Sequence, residues 1–432
     1  MRIALSSAVG KSAFGSYLLW RAVQARRTVV YVSDKVGDAF IFHGDGHVEA
    51  FPASEFDART YALQHLPSTV LIVDGIKPPV CAAFTVLITS PKRERYKEYL
   101  KMNDARRLTF PVFSRDEIND MRLTCFPALN EAGVWERYGK WGGIPWFVLA
   151  KTDDEEQDNL EGAVNGVDLN HIGHLMDSSK LIDDSDVISH RLFHLKPAGE
   201  TDKSFENPTE MRSYRLVRLE LGSPYIIEGV YTALQKQSTS RLHELLSGDL
   251  EANPALSKLF GDLFELAALP LLSAGGSFSF FNLRDRKGGA VVLPACERID
   301  FNKAAELGDF ATKLSEEQLA KTVFVPRGGN YTGLDAVLPG RRPVNFTINL
   351  QHDLKLQHAT LTEGVVPALK ALGLPTGSDI HFYWVLPRQR FDTACKGGIK
   401  ALIKGPDDVM AEFSARVVQF ALLVDFKWLQ RK

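Results

Sequence analysis

Val9-Gly10-Lys11-Ser12 runs directly into Ala13-Phe14-Gly15-Ser16-Tyr17-Leu18-Leu19-Trp20, and the reading of this stretch decides the fold of the first part of the chain. It has the second half of a phosphate-binding loop. In such a loop a glycine turn feeds a helix N-terminus, whose free backbone N–H groups and dipole favour an anion. A Lys reaches the β- and γ-phosphates, and the Ser or Thr after it ligates magnesium. Gly10, Lys11 and Ser12 are the right types in the right order. The first glycine of G-x-x-x-x-G-K-[ST] should fall at position 5, where Leu5 stands, so the motif is degenerate at its start. Gly-Lys-Ser alone arises by chance, and the plain alternative is a helix start with a lysine nearby. Phe14, Tyr17, Leu18, Trp20 and Val23 lie on one face of a helix from Ser12 to about Ala25. The loop begins almost at Met1, so the strand that should precede it is expected to be missing and the sheet truncated.

Working outward, Thr28–Val32 reads as a β-branched strand. Ala39–Val48 reads as a hairpin turning at His43-Gly44-Asp45-Gly46, and Ser54–Leu66 as a short helix. Thr69-Val70-Leu71-Ile72-Val73-Asp74-Gly75 is the second informative stretch. Apolar residues ending in Asp describe a buried parallel strand with a carboxylate at its C-terminal edge. That is the geometry in which Asp74 helps Ser12 hold magnesium beside a nucleotide. The Glu that usually follows is replaced by Gly75, and the plain alternative is a strand ending in an Asp-Gly turn. Ala83–Ile88 is a third buried strand, leading to Thr89, a candidate γ-phosphate sensor. The series strand, helix, strand, strand suits a doubly wound α/β sheet. Ser114 and Glu117 form a capping-box pattern for a helix from Ser114 to Leu123.

Composition sets outer bounds. The chain has 432 residues, a net charge of −2, 45% apolar and 24% charged residues, which are ordinary globular values for a chain of two or three domains. The net charge argues neither for nor against nucleic acid. Four widely separated cysteines without a C-x-x-C pair suggest neither a zinc site nor a disulfide framework. No apolar run is long enough to span a membrane, and the first residues carry no signal-peptide pattern.

The stretches G-K-S-A-F-G-S-Y-L-L-W-R at 10–21, L-I-V-D-G at 71–75, F-P-V-F-S-R-D-E-I at 110–118, W-G-G-I-P at 141–145, S-H-R-L-F-H at 189–194 and G-D-L-F-E at 261–265 together resemble the Crinkler effectors of oomycetes and some fungi. They are similar also to the retrotransposon hot spot proteins of trypanosomes. The resemblance runs over nearly the whole chain in family order. It implies a P-loop NTPase domain followed by a restriction-endonuclease-like domain. It also implies secretion into a host cell and action in the host nucleus, usually through an N-terminal leader. No such leader is present, so the chain is expected to be N-terminally shortened. Where the family often has Arg after W-G-G-I-P, this chain has Trp146.

The acidic run Asp153, Asp154, Glu155, Glu156 and Asp158 reads as a solvated linker at a domain edge. His171 and His174 have an H-x-x-H spacing that is more often structural than metal-binding. Leu256–Leu272 reads as a helix with a broad apolar face, with Glu265 within it. Strands follow at Ser277–Leu283 and Gly289–Pro294, then around Asp335, at Val344–Leu350, and at Ile380–Leu386, with a helix at Leu361–Leu372. Ala411–Leu423 reads as a C-terminal amphipathic helix.

This order matches a restriction-endonuclease core, where carboxylates converge on divalent ions and a Lys orients the attacking water. Asp335 suits the first metal ligand, with Glu265 beside it. The position expected to read acid-or-Gln, any residue, Lys is Asn345-Phe346-Thr347. The related families look as though they carry Q-x-T with a His five residues beyond the Thr, a pattern that Thr347 and His352 fit.

The expectations are therefore an α/β chain. A degenerate, truncated P-loop NTPase-like domain covers 1–152, a helical connecting region 153–250, a restriction-endonuclease-like α/β domain 251–400 and a C-terminal helix 401–432. Gly10, Lys11, Ser12 and Asp74 would hold ATP or another NTP with Mg2+, the metal resting on Ser12 and Asp74. Glu265, Asp335, Asn345, Thr347 and His352 would form a metal-dependent nuclease site acting on host DNA or chromatin, its metal on Asp335. Two alternatives stay open: an inactive scaffold that binds host chromatin or proteins, and a mobile-element-associated protein acting in its own cell.

Overall fold

The computed structural model describes residues 2–6, 10–89, 96, 99, 101, 105–170, 172, 191–197, 217–247, 256–327, 334–348, 354–375, 377–404 and 415–426. The chain divides into two compact units, Met1–Ala233 and Leu234–Lys432. Both are α/β.

The first unit is built on a seven-stranded sheet among the described residues. Its strands are β1 (Arg2–Ser6), β2 (Val29–Ser33), β3 (Asp38–Phe42), β4 (Val48–Pro52), β5 (Val70–Asp74), β6 (Phe84–Thr89) and β7 (Ala105–Thr109), in the order β4-β3-β2-β5-β6-β1-β7. Strands β2, β5, β6, β1 and β7 run parallel, while β3 and β4 are the antiparallel hairpin read from the sequence. The strand expected to be missing is present. Five residues suffice for β1 because β6 and β7 both supply a ladder to it, pairing Ser6 with Thr89 on one side and Thr109 on the other. Leu5 lies inside this strand, so the expected first glycine position is not in a loop here.

Helix α1 (Lys11–Gln24) follows β1. Its apolar residues Phe14, Leu18, Leu19, Ala22 and Val23 pack on Val29, Ile72, Val86 and Ile88 of the sheet. Gly15 lets the helix approach closely: a Cβ there would stand 2.3 Å from Ile88 Cδ1. The alternate residues Val30, Val32, Leu71, Val73 and Leu87 face the other way and pack with Phe56 and Leu63 of helix α2 (Phe56–Gln64). Near-continuous apolar runs in β2, β5 and β6 therefore reflect burial on both faces.

Helix α3 (Arg115–Cys125) carries the expected capping box between Ser114 and Glu117. Helix α4 (Glu131–Trp141) and a wide helical turn at Trp146–Ala150 frame the W-G-G-I-P stretch. The acidic run is the opening of a helix, α5 (Asp154–Asn165), N-capped by the Asp153 side chain, and not a linker. Carboxylates in a first helical turn face the positive end of the helix dipole, so the same charges that suggest a solvated linker also favour a helix start. His171 and His174 lie outside the described residues. Strands β8 (Phe193–Pro197) and β9 (Val217–Leu221) pair separately.

Several of the stretches that carry the Crinkler resemblance meet here. The Phe113 N–H donates to the Gly143 carbonyl at 2.9 Å, and a Cβ on Gly143 would stand 1.9 Å from the Phe113 carbonyl oxygen. Gly142 has φ +68°, and a Cβ there would stand 2.2 Å from the Gly222 carbonyl oxygen, with the His194 ring alongside. Phe113, Gly142, Gly143, His194 and Gly222 thus meet through close contacts that only glycine allows at 142 and 143.

The boundary between the units falls within helix α6 (Pro224–Ser247), which is interrupted at Ser238. The second unit opens with helix α7 (Ser257–Ser273). Its main sheet has eight strands among the described residues: β10 (Gly276–Asn282), β11 (Gly288–Leu293), β12 (Glu297–Phe301), β13 (Thr322–Pro326), β14 (Ala336–Leu338), β15 (Arg342–Phe346), β17 (Ile380–Pro387) and β19 (Val417–Val424), ordered β11-β10-β19-β17-β15-β14-β13-β12. The short strands β16 (Leu354–Gln357) and β18 (Ala401–Lys404) pair apart from it. Strands β13, β14 and β15 form an antiparallel meander, and β15 runs parallel to β17.

The last strand corrects the expected C-terminal helix over 411–423. Val417–Val424 pairs along its whole length with β17, and also with β10, in the middle of the sheet. A short, almost continuous apolar run satisfies helical and strand patterns alike. Two waiting neighbours decide for the strand.

Candidate functional site

The first constellation grows out of the carboxyl edge of the parallel strands. Residue pairing brings Ser33, Asp74, Thr89, Ser6 and Thr109 to that edge. Gly10 starts α1 in the left-handed conformation, with φ 60° and ψ 11°, and no side chain caps the helix. A helix start of this kind can bind an anion through its first N–H groups. Strand β1 lies between β6 and β7, while α1 carries the chain across β6 and β5 to β2. A crevice beyond the strand ends at such a reversal is where open α/β sheets bind ligands.

The expected side chains converge here. Lys11 Nζ donates to the Thr89 carbonyl at 2.7 Å. Ser12 Oγ accepts a hydrogen bond from Lys35 Nζ at 2.8 Å. Asp74 is 5% exposed, Thr89 2% and Thr109 1%. Asp74 Oδ2, Thr89 Oγ1 and Thr109 Oγ1 have no hydrogen-bond partner among the described residues. Orphaned buried polar atoms are costly unless a ligand satisfies them, and these three lie at the ends of β5, β6 and β7, where Lys11 reaches the Thr89 carbonyl. Burial, together with the charges of Asp74 and Asp34, pushes the Tyr31 phenol above its ordinary value, although its bond to Ser33 opposes this. These donors and acceptors fit a magnesium-bound polyphosphate.

The second constellation lies in the second unit. Glu265 on α7 and Asp335, just before β14, are both half-buried. Burial drives the Glu265 carboxyl up to about 8, with repulsion from Asp335 and Asp262 adding to it and Lys258 and Arg298 opposing it. Burial likewise raises Asp335, to about 6, against the lowering effect of a hydrogen bond from the Phe346 N–H to Asp335 Oδ2 at 2.7 Å. Lys258 binds Asp262 one helical turn along α7. The structure thus brings Glu265 and Asp335 into electrostatic contact.

Asp335 lies against the end of β15: its N–H donates to the Val344 carbonyl at 3.0 Å, while Asn345 lies in β15 and Thr347 directly follows it. Phe346 meets Phe264 of α7 ring to ring at 6.4 Å. His352 lies outside the described residues. Among the described residues, no three His, Cys, Asp or Glu side chains form a group able to hold a metal. Glu265 and Asp335 by themselves would offer a metal two carboxylates.

Two proteins of Phytophthora infestans, Crinkler effector protein 16 and Crinkler effector protein 15, are each 25% identical to the chain over 359 residues, 80% of its length and 54% of theirs. The chain is Crinkler-like. It spans about half the length of these relatives. No family model matches it, and no solved structure does.

Sequence reasoning on this Crinkler-like chain reached Gly10, Lys11, Ser12, Asp74, Thr89, Glu265 and Asp335 but passed over five groups beside them. Lys35, Asp34 and Thr109 come from strand ends that carry no motif, and only the parallel register brings them to the edge. Lys258 and Asp262 have a signal in the sequence: they stand at i and i+4 on the apolar helix that holds Glu265.

Proposed function

We propose that the first unit binds a nucleoside triphosphate at the carboxyl edge of its sheet. The observation that carries this reading is the set of orphaned buried polar atoms on Asp74, Thr89 and Thr109 at the strand ends where Lys11 reaches the Thr89 carbonyl and α1 starts uncapped. Lys11 swings from the Thr89 carbonyl to the phosphates. Ser12 and Asp74 hold magnesium, which supplies positive charge to the phosphate oxygens. The unit is a P-loop NTPase-like domain in this reading, with β1, α1 and β5 supplying its parts.

The matched relatives bear the name effector, and the same role is proposed for this chain: secretion to a host cell and action in the host nucleus. The second unit is read as a restriction-endonuclease-like module acting on host DNA. The order of α7, the β13-β14-β15 meander and β17, with Glu265 and Asp335 in electrostatic contact, supports it. An inactive scaffold is the second reading. The neutral Asn345 and Thr347, where an acid and a lysine are expected, favour it.

Binding of a fluorescent ATP analogue with magnesium tests the first unit. Wild-type protein is expected to bind and Lys11→Ala to lose at least tenfold in affinity; equal affinity in both removes the nucleotide site. Plasmid nicking with magnesium or manganese, beside Asp335→Ala, tests the second. Nicking lost in the variant supports the nuclease, and none from folded wild-type protein favours the scaffold.

A further inference from the structure

Gly75 occupies the position after Asp74 where phosphate-loop enzymes usually carry the carboxylate that handles the attacking water. It has φ +81°, and its N–H donates to the Ile88 carbonyl at 2.8 Å. A Cβ built on it would stand 2.2 Å from Asp34 Cγ and Oδ2 and 2.3 Å from Oδ1. The Asp34 carboxylate thus fills the space that a side chain at 75 would enter. No side chain other than hydrogen fits while Asp34 is there, so the missing carboxylate and the present one are two sides of one arrangement.

Asp34 is held at this place by the fold. It follows the last residue of β2, and Ser33 pairs with Asp74 in the parallel ladder. The Asp34 N–H donates to the Asp74 carbonyl at 2.9 Å. The next residue, Lys35, donates its N–H to Ser33 Oγ at 3.2 Å and its ammonium to Ser12 Oγ at 2.8 Å. One corner of chain therefore reaches both the helix start and the end of β5. Asp34 is exposed, so bulk water has access to it.

We propose that Asp34 replaces the carboxylate absent at Gly75 and orients the water that hydrolyses the bound nucleoside triphosphate. The inference rests on the nucleotide reading of this site. Asp34 accepts a hydrogen bond from the water and aims its oxygen at the γ-phosphorus. The new P–O bond forms as the bond from the γ-phosphorus to the bridging oxygen breaks. That electron pair leaves on the nucleoside diphosphate, and the water proton departs with the inorganic phosphate. Orientation of this kind lowers the barrier without a covalent protein intermediate. The neighbouring strand thus takes over a task normally given to the strand that carries the metal-binding Asp.

The test uses the full chain, with a fluorescent ATP analogue for affinity and phosphate release from ATP for turnover. Asp34→Ala is expected to bind the analogue within threefold of wild type and to lower kcat about 100-fold, leaving KM nearly unchanged. Asp34→Asn, which keeps an acceptor oxygen of the same reach, is expected to recover at least tenfold of that loss. Equal phosphate release by wild type and Asp34→Ala overturns the inference while the nucleotide site stands. So does wild-type binding without turnover. No binding by wild type removes the nucleotide reading itself, and this inference with it. A parallel loss of affinity and turnover in both variants gives Asp34 a merely structural role and also overturns it.

Discussion

The two units bury polar groups in opposite ways. At the carboxyl edge of the first sheet, Asp74, Thr89 and Thr109 have atoms with no partner among the described residues, on the edge where α1 starts with Lys11. In the second unit, Glu265 and Asp335 are crowded against each other's charge, and burial raises both. A ligand that accepts and donates would satisfy the first arrangement. The second is relieved by a proton as readily as by any ligand. A raised carboxyl is thus weaker evidence for a site than a set of orphaned donors and acceptors, because burial alone produces it.

The sharpest way to break this comparison is Asp74→Asn. If Asp74 holds a cation beside bound nucleotide, the gain in nucleotide affinity on adding magnesium should fall about 100-fold, roughly 2.7 kcal/mol. Thermal stability should stay level. Titration calorimetry with and without magnesium reads the affinity and a thermal melt the stability, and an unchanged magnesium dependence takes Asp74 out of the site.

Next in size is Glu265→Gln. The Glu265 carboxyl titrates at about 8 in the fold against an ordinary 4.5. A raised acid favours the fold when protonated, so that contribution is complete below the ordinary value and is lost as pH climbs from there towards about 8. The variant should match wild type in acid. At about pH 9 it should be more stable by on the order of 2 kcal/mol, judged by urea unfolding. Equal stability across the range would mean the carboxyl is better solvated than its burial implies.

A double-mutant cycle with Asp335→Asn sharpens the same point. If the two acids repel, removing either charge should relieve part of the strain felt by the other, giving a coupling of about 1 kcal/mol in alkaline buffer. Strict additivity would separate them.

The smallest effects belong to Thr109→Val and Thr89→Val. Replacing an unpartnered buried hydroxyl by a methyl of similar shape should raise stability by about 0.5–1 kcal/mol in each. Thr89→Val should also cost about threefold in nucleotide affinity, since Thr89 alone of the two lies on the strand whose carbonyl receives Lys11. A loss of stability in both would show that water already satisfies these hydroxyls.

Much of this was legible in the sequence. Residues 29–33, 70–74 and 84–89 announce themselves as strands because burial on both faces demands unbroken apolar runs. Ser114 and Glu117 announce a helix start because a capping box is local. Lys11 and Ser12 could be placed at a helix N-terminus, and Asp74 at a strand end, for the same reason: each follows from a few neighbouring residues. Glu265 and Asp335 were nameable from element order.

Tertiary structure decided the rest, wherever the partner is distant in the chain. Arg2–Ser6 is a strand because β6 and β7 flank it, and Val417–Val424 is a strand because β17 and β10 supply its hydrogen bonds. The acidic run at 153–158 opens a helix because Asp153 caps it and the helix dipole welcomes its charges. Asp335 reaches the backbone of β15 at Val344 and Phe346 only through the ladder of β14 against β15. Asp34 and Lys35 reach Gly75 and Ser12 only through the register of β2 against β5. Local sequence fixes which residues can cap, alternate or carry charge; the ladder that joins remote segments decides which of them meet.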